Sequence, residues 1–132
     1  MKKIFVAILF LMFSISSICN AFELDKNRWV EIASNENDIL YIDKLSLSYT
    51  KDSNYDNASV WICYYNKEKK DYSLADDIIN FKDNTLKTKQ IVLYDSKGKY
   101  LKRLTSELAS AERVVPGSMG EATLLYVKYY KP

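Results

Sequence analysis

"RVVPGSMGEATLLYVKYYKP" (Arg113–Pro132) closes the chain and contains two of its three glycines. A glycine-bearing turn ahead of an apolar run is read either as a phosphate cradle or as a helix start. A dinucleotide loop needs three glycines at fixed spacing behind a strand, and a P-loop needs Gly-Lys-Ser/Thr. Neither pattern is present. Instead, Pro116 and Gly117 break the preceding segment, Ser118 stands where an N-cap belongs, and Glu121 follows three residues later, which is a capping box. The segment therefore predicts a helix opening at Ser118. At about 100° per residue, Met119, Ala122, Leu125, Tyr126, Tyr129 and Tyr130 share one wide arc, with Gly120, Glu121 and Lys128 opposite. Leu124 is the apolar exception on the polar side. A helix of this kind has to lie on apolar surface, which the rest of the chain must supply.

Upstream the dominant period is two. "RWVEIAS" (28–34) alternates and reads as a strand, "NEND" (35–38) is turn chemistry, and "ILYID" (39–43) completes a hairpin. The polar stretch 48–57 reads as a surface loop, and Asn57-Ala58-Ser59 as a chance glycosylation match. The strongest strand is "ASVWICYYNK" (58–67), with Trp61, Cys63 and Tyr65 on one face and Val60, Ile62 and Tyr64 on the other. A charged connector (67–73) leads to strands at 77–83 and 86–95 joined around Asn84, then the turn "SKGK" (96–99) and a strand at 100–106 in which Leu101 and Arg103 alternate with Tyr100, Lys102 and Leu104. "ELASAE" (107–112) is ambiguous. Short turns between short strands favour an antiparallel meander over parallel crossover units. The expected fold is α+β, mainly β: a sheet of about six strands with the C-terminal helix packed on one face.

The N-terminus shows two lysines, an apolar run from Ile4 to Phe13, and small residues at Cys19 and Ala21. That is the pattern of a secretory signal peptide over residues 1–21, too short for a membrane-spanning helix. Lipid attachment at Cys19 is the alternative, disfavoured by Ile18 in the position that normally carries a small residue. Residues 22–132 then form one domain, exported and carrying no transmembrane segment. The chain has 19 basic and 17 acidic residues, and the signal holds two lysines and no acid, so the mature part is electrically balanced. Nothing in that balance favours nucleic acid.

Histidine is absent, which removes the commonest general base and zinc ligand and every Ser-His or Cys-His nucleophile pair. Asp76-Asp77 invites a catalytic reading, but neighbours on a strand point to opposite faces, so they more simply mark a turn and strand start. No metal-ligand spacing and no cofactor motif is evident. Cys63 is the only cysteine left after the signal, and among Trp61, Ile62 and Tyr64 it is expected to be inert rather than reactive. The 11 tyrosines suit both strands and binding surfaces. Tyr64 and Tyr65 next to Lys67, Lys69 and Lys70 form the candidate binding set, whichever tyrosine faces away from the helix being the one to watch. Ser118, Glu121, Met119, Ala122, Leu125, Tyr126 and Tyr129 are the candidate structural residues.

In "RWVEIAS", "LYIDKLSL", "VWICYY", "FKDNTLKTKQIVLYDSKGK" and "VVPGSMGEATLLYV", the chain resembles the bacterial surface-adhesin protein E family. The resemblance rests most on Arg28-Trp29-Val30, Tyr41-Ile42-Asp43 and the Pro-Gly-Ser turn with its glutamate. It implies a six-stranded antiparallel sheet holding the terminal helix on its concave face, and binding of host extracellular proteins rather than catalysis. Family members often tether the last helix to a middle strand by a disulfide. Here Phe81 and the Lys128–Tyr129 region occupy approximately those places, so apolar contact is expected to replace the tether.

Two functions follow as expectations. The first is a non-enzymatic exported protein that binds a protein partner, such as host extracellular matrix, through the open sheet face or an edge strand. The alternative is a periplasmic small-ligand or envelope assembly module with a crevice between helix and sheet. An exposed edge and Leu124 also suggest a weak tendency to form homodimers.

Overall fold

A computed structural model describes residues 24–50, 57–105 and 110–130. The expected signal peptide, Cys19 and the first half of the 107–112 segment lie outside the described residues, as does the centre of the 48–57 loop. The elements are β1 (Trp29–Ser34), β2 (Asp38–Asp43), β3 (Ser48–Tyr49), β4 (Asn57–Asn66), β5 (Tyr72–Asn80), β6 (Thr85–Tyr94), β7 (Tyr100–Thr105), β8 (Glu112–Arg113) and the helix α1 (Met119–Tyr129). The sheet is antiparallel and open, in the order β1-β2-β4-β5-β6-β7, with β3 added to β4 and β8 to β6. The fold is mainly β with one C-terminal helix, as the period-two pattern implies. Among the described residues no helix is long and apolar enough to cross a membrane.

Each long hairpin opens on an Asn or Asp whose side chain fixes the turn. Asn35 Oδ1 accepts the amides of Asn37 and Asp38, Asn66 Oδ1 those of Glu68 and Lys69, Asn80 Oδ1 that of Asp83, and Asp95 Oδ1 those of Lys97 and Lys99. These are Asx turns, which set hairpin register locally. Asn84 and Gly98 then supply the positive φ values, 52° and 76°, that close two of the hairpins. The amide of Lys99 is the chief reason that the Asp95 carboxyl lies below its ordinary pKa.

Three boundaries differ from the sequence reading. Residues 48–49 form β3 rather than loop, because Ser48 and Tyr49 pair with Ser59 and Ala58. Asn57 belongs to β4, where its Oδ1 accepts the Asn80 side-chain amide at 2.9 Å. β5 begins at Tyr72, five residues before the expected start, so Asp76-Asp77 is neither turn nor strand start but lies mid-strand, opposite Gln90 and Thr88. The strand was hidden by its polar residues: a β6 bulge at Lys89 lets Asp77 and Thr88 pair within the apolar face.

The motifs Arg28-Trp29-Val30 and Tyr41-Ile42-Asp43 meet across the first hairpin. Trp29 is in register with Asp43, and Arg28 Nη2 donates to Asp43 Oδ2 at 2.6 Å. Asp43 is completely buried and also accepts the Leu45 amide through Oδ1, so the arginine and the turn together satisfy it.

The core lies between one sheet face and α1. Leu40, Ile42, Ala58, Val60, Ile62 and Ile79 pack with Leu124 and Val127, flanked by Val30, Tyr49, Phe81, Val114, Met119 and Tyr126. Ser118 caps the helix as the sequence predicts, its Oγ accepting the Glu121 amide at 3.3 Å. The box is only half built, since the Ser118 amide goes to Val115 O at 3.2 Å across the Pro116-Gly117 turn. Gly117 at φ 78° fits the third position of a type II turn, where other residues are strained.

The helix is rotated from the expected setting. Thr123, Leu124 and Val127 are buried, whereas Leu125 is 43 % and Tyr129 69 % exposed. Leu124 is thus a core residue and gives no support to a dimer contact, while Met119, Ala122 and Tyr126 are half-buried. Close approach to the sheet suits compact and branched side chains better than tyrosines with polar tips, and Thr123 Oγ1 satisfies itself on Met119 O at 3.1 Å. In place of a disulfide, the Tyr49 hydroxyl lies 2.6 Å from Val127 O and 2.9 Å from Tyr130 O, with the Phe81 ring 6.2 Å from that of Tyr49. The helix end is therefore held by a hydrogen-bonding phenol as well as by apolar contact.

Chemical denaturation should separate the two helix settings. Leu124→Ala should cost about 2–5 kcal/mol and Leu125→Ala no more than about 0.5 kcal/mol. Equal losses would contradict the rotation described. Tyr49→Phe should cost about 1–2 kcal/mol, read from the urea midpoint at constant slope.

Candidate binding surface

The predicted binding set does not converge. Tyr64 projects to the helix side of the sheet and Tyr65 to the other, where it is in register with Ile39 and Tyr72. Lys67 is held against the first hairpin: its Nζ donates to Asn35 O and its amide to Asn37 O. Lys69 and Lys70 are exposed in the β4–β5 turn, Lys70 at φ 62° with its amide on Asn66 O. The lysines there shape a hairpin end rather than a shared site with both tyrosines.

What does converge is a row of tyrosines that flank the hairpin turns. Tyr65 and Tyr72 face each other across the β4–β5 turn, Tyr72 is in register with Tyr94, and Tyr94 with Tyr100 across the β6–β7 turn. Tyr72 and Tyr94 stack with ring centroids 4.7 Å apart, and Tyr100 meets Tyr94 edge-on at 6.2 Å. Both geometries suit aromatic pairs, which contribute beyond their buried area. A Leu101 bulge lets Tyr94 pair with Tyr100 while Leu93 pairs with Lys102. The bulge breaks the simple alternation expected for 100–106 and puts Tyr100 and Lys102 on opposite faces.

Beside this row lies a crevice of about 270 Å³. Tyr64, Ser73, Leu93 and Leu101 line it from the helix side, Tyr72 and Tyr94 from the row, and Asp38 and Asp71 add carboxylates. The sequence signal for the row was available: a tyrosine on each side of the β4–β5 and β6–β7 turns, which hairpin register brings into contact. The stacking between the two hairpins was not, because it depends on β5–β6 register and on two bulges.

A second crevice, of about 440 Å³, lies between the end of β1 and the start of α1, lined by Ala33, Ser34, Asn35, Gly117, Ser118, Met119, Glu121, Ala122 and Leu125. Of the helical arc expected to be buried, Ala122 and Leu125 therefore line this crevice, and Met119 both borders it and packs on the core.

The titratable groups of the interior are packed rather than presented. Burial pushes the Cys63 thiol up to about 12, which leaves it protonated and poorly nucleophilic. Burial, with the charge of Asp77 behind it, likewise pushes Tyr64 up to about 12. Asp77 itself is 1 % exposed and is raised to about 6 by burial, partly countered by the Thr88 hydroxyl, which donates to Oδ1 at 2.7 Å. Its Oδ2 has no hydrogen-bond partner among the described residues.

Comparison of the chain with family models, with curated proteins and with solved structures returned no match.

Asp77 makes stability fall with rising pH. A carboxyl raised to about 6 in the folded state holds its proton while the unfolded chain, at about 3.9, releases it. Its contribution is therefore fully present below about pH 4 and lost as pH rises through about 6. Asp77→Asn should gain stability relative to the parent as pH rises from about 4 to 7, by up to about 3 kcal/mol. Urea unfolding at several pH values checks it, and a pH-independent difference would show that Asp77 is not the titrating group.

Proposed function

We propose that this chain is an exported, non-enzymatic binding protein of the surface-adhesin protein E type, which contacts an extracellular protein partner through the β7 end of its sheet. The observation that carries this reading is the exposed margin at β7, where Tyr100 on one face, Leu104 on the other and Leu101 at the bulge between them are 53 %, 46 % and 54 % exposed. Tyr100 continues outward from the stacked pair Tyr72–Tyr94, while Leu104 lies beside Ile91 on the helix side. Tyrosine offers large, stiff contact area with a polar tip, and exposed apolar side chains grouped with aromatics mark contact sites. The export signal at 1–21, the electrical balance of 22–132 and the resemblance described above support the same reading. The binding set expected from sequence, Tyr64, Tyr65, Lys67, Lys69 and Lys70, borders this region through Tyr64 but is not its centre.

The second reading, a small apolar ligand held between helix and sheet, draws support from the crevice of about 440 Å³ beside Met119, Ala122 and Leu125. That volume falls within the roughly 300–1,000 Å³ typical of ligand sites.

Capture of residues 22–132 on immobilised extracellular matrix proteins tests the first reading. Saturable binding should weaken about tenfold or more in Tyr100→Ala/Leu104→Ala, the loss expected of a contact worth over about 1.4 kcal/mol. Ala122→Trp, which fills the helix crevice, should leave that binding unchanged. Loss in the crevice variant alone, with fatty acids or other apolar metabolites raising the melting temperature of the parent, would favour the second reading.

A further inference from the structure

β7 ends the sheet, hydrogen-bonding only β6 among the described residues, and all six of its residues are exposed. A terminal strand presents alternate backbone N–H and C=O groups outward, a ready template for another strand. Proteins commonly blunt such edges with lysine, and this one carries a concentration of cations there. Residues 96–106, "SKGKYLKRLTS", hold Lys97, Lys99, Lys102 and Arg103 and no acid, in a chain that is otherwise close to balanced. Lys97 and Lys99 lie beside Asp95, whose carboxyl they help to hold down. Among the described residues, no ion pair or hydrogen bond engages the side chains of Lys102 and Arg103, in contrast to Arg28 on Asp43 and Lys89 on Asp76.

This charge pattern discriminates between occupants. A second copy laid antiparallel along β7 about a two-fold axis at its middle would set Lys102 against the copy's Lys102, or Arg103 against the copy's Arg103, because paired residues share a sheet face. Like charges opposite one another destabilise a strand pair. The same cations favour an anionic strand, and Leu101, Leu104 and Tyr100 offer apolar contact between the charges. A phosphate or lipid headgroup could answer the charge but not the backbone ladder or the leucines.

Resting on the reading that this end of the sheet binds a protein, we infer that the free edge of β7 takes up an extended acidic segment of the partner by strand addition. Main-chain hydrogen bonds along Tyr100–Thr105 give affinity, and Lys102 and Arg103, adjacent on opposite faces, select two consecutive acidic residues flanked by apolar ones. The cations thus serve twice, excluding self-pairing and choosing the partner.

The test uses residues 22–132 and a fluorescent peptide of two adjacent aspartates flanked by valines, long enough to span β7, followed by anisotropy. Saturable binding is expected, weakened about tenfold or more by high salt, as for exposed charges. Lys102→Glu/Arg103→Glu, both at exposed positions, should abolish it while circular dichroism stays unchanged. The same peptide N-methylated at alternate residues keeps its charge but cannot form a ladder, and should not bind. Hydrogen exchange should slow at residues 100–105 when the unmodified peptide is added. Equal binding of the N-methylated peptide would overturn strand addition. Binding of phosphatidylglycerol vesicles or single-stranded DNA without the peptide would reassign the edge to polyanions, and a charge-insensitive dimer by ultracentrifugation would assign it to a second copy. If the peptide fails while matrix protein is still captured and Tyr100→Ala/Leu104→Ala reduces that capture, only the acidic-strand inference falls. If capture fails as well, the proposed function falls with it.

Discussion

The structure depends on the seating of a short helix on a sheet face of mostly aliphatic side chains. Leu124 and Val127 enter the layer formed by Leu40, Ile42, Val60, Ile62 and Ile79, and without them that layer would face water. Burying a side chain of this size stabilises by about 1.5–3 kcal/mol, which for a domain of marginal stability is a large share of the whole. The Tyr49 hydroxyl closes the helix end by bonding to Val127 O and Tyr130 O, two carbonyls of the kind a terminal turn leaves unpaired. A phenol reaching from β3 thereby holds the helix end, the role that the resemblance assigns to a disulfide. β3 itself exists because Ser48 and Tyr49 pair with β4, so the tether and the small strand form together.

The same face tolerates one costly residue. Asp77 sits opposite Thr88 where the Lys89 bulge tightens β6, and it buries a carboxyl with one oxygen unpartnered among the described residues. Its raised pKa is the consequence of that burial, and Tyr64 responds to the same environment. The β6 bulge is thus a cause of both the polar insertion in the core and the missed start of β5. Bulges recur in this sheet, at Ile32, Lys89 and Leu101. The last of these moves Tyr100 into contact with Tyr94 and leaves β7 at the margin.

Function is read from that margin. The tyrosines flanking the hairpin turns gather because each turn brings its own pair together and the β5–β6 register joins the two pairs. β7 carries the row to the edge of the sheet and adds leucines and cations. By contrast, the lysines around 67–70 are committed to hairpin geometry, with Lys67 anchored on the first turn.

The sequence by itself determined most of the strands, the turns between them and the helix start, but not β3 or the first five residues of β5. Each is a local matter: period-two patterning, turn chemistry at 35–38, around Asn84 and at 96–99, and the Ser118 cap. It also placed Trp61, Cys63 and Tyr65 opposite Val60, Ile62 and Tyr64, since alternation on a strand needs no partner to be read. Tertiary structure alone decided which side of α1 faces inward, because two overlapping arcs were apolar enough and only close packing against the sheet prefers Thr123, Leu124 and Val127 over tyrosines. It alone decided that Asp77 is buried, that Tyr49 reaches the helix end, and that Tyr72 stacks on Tyr94. These contacts join residues far apart in the chain, and their register is set by bulges that no local pattern announces.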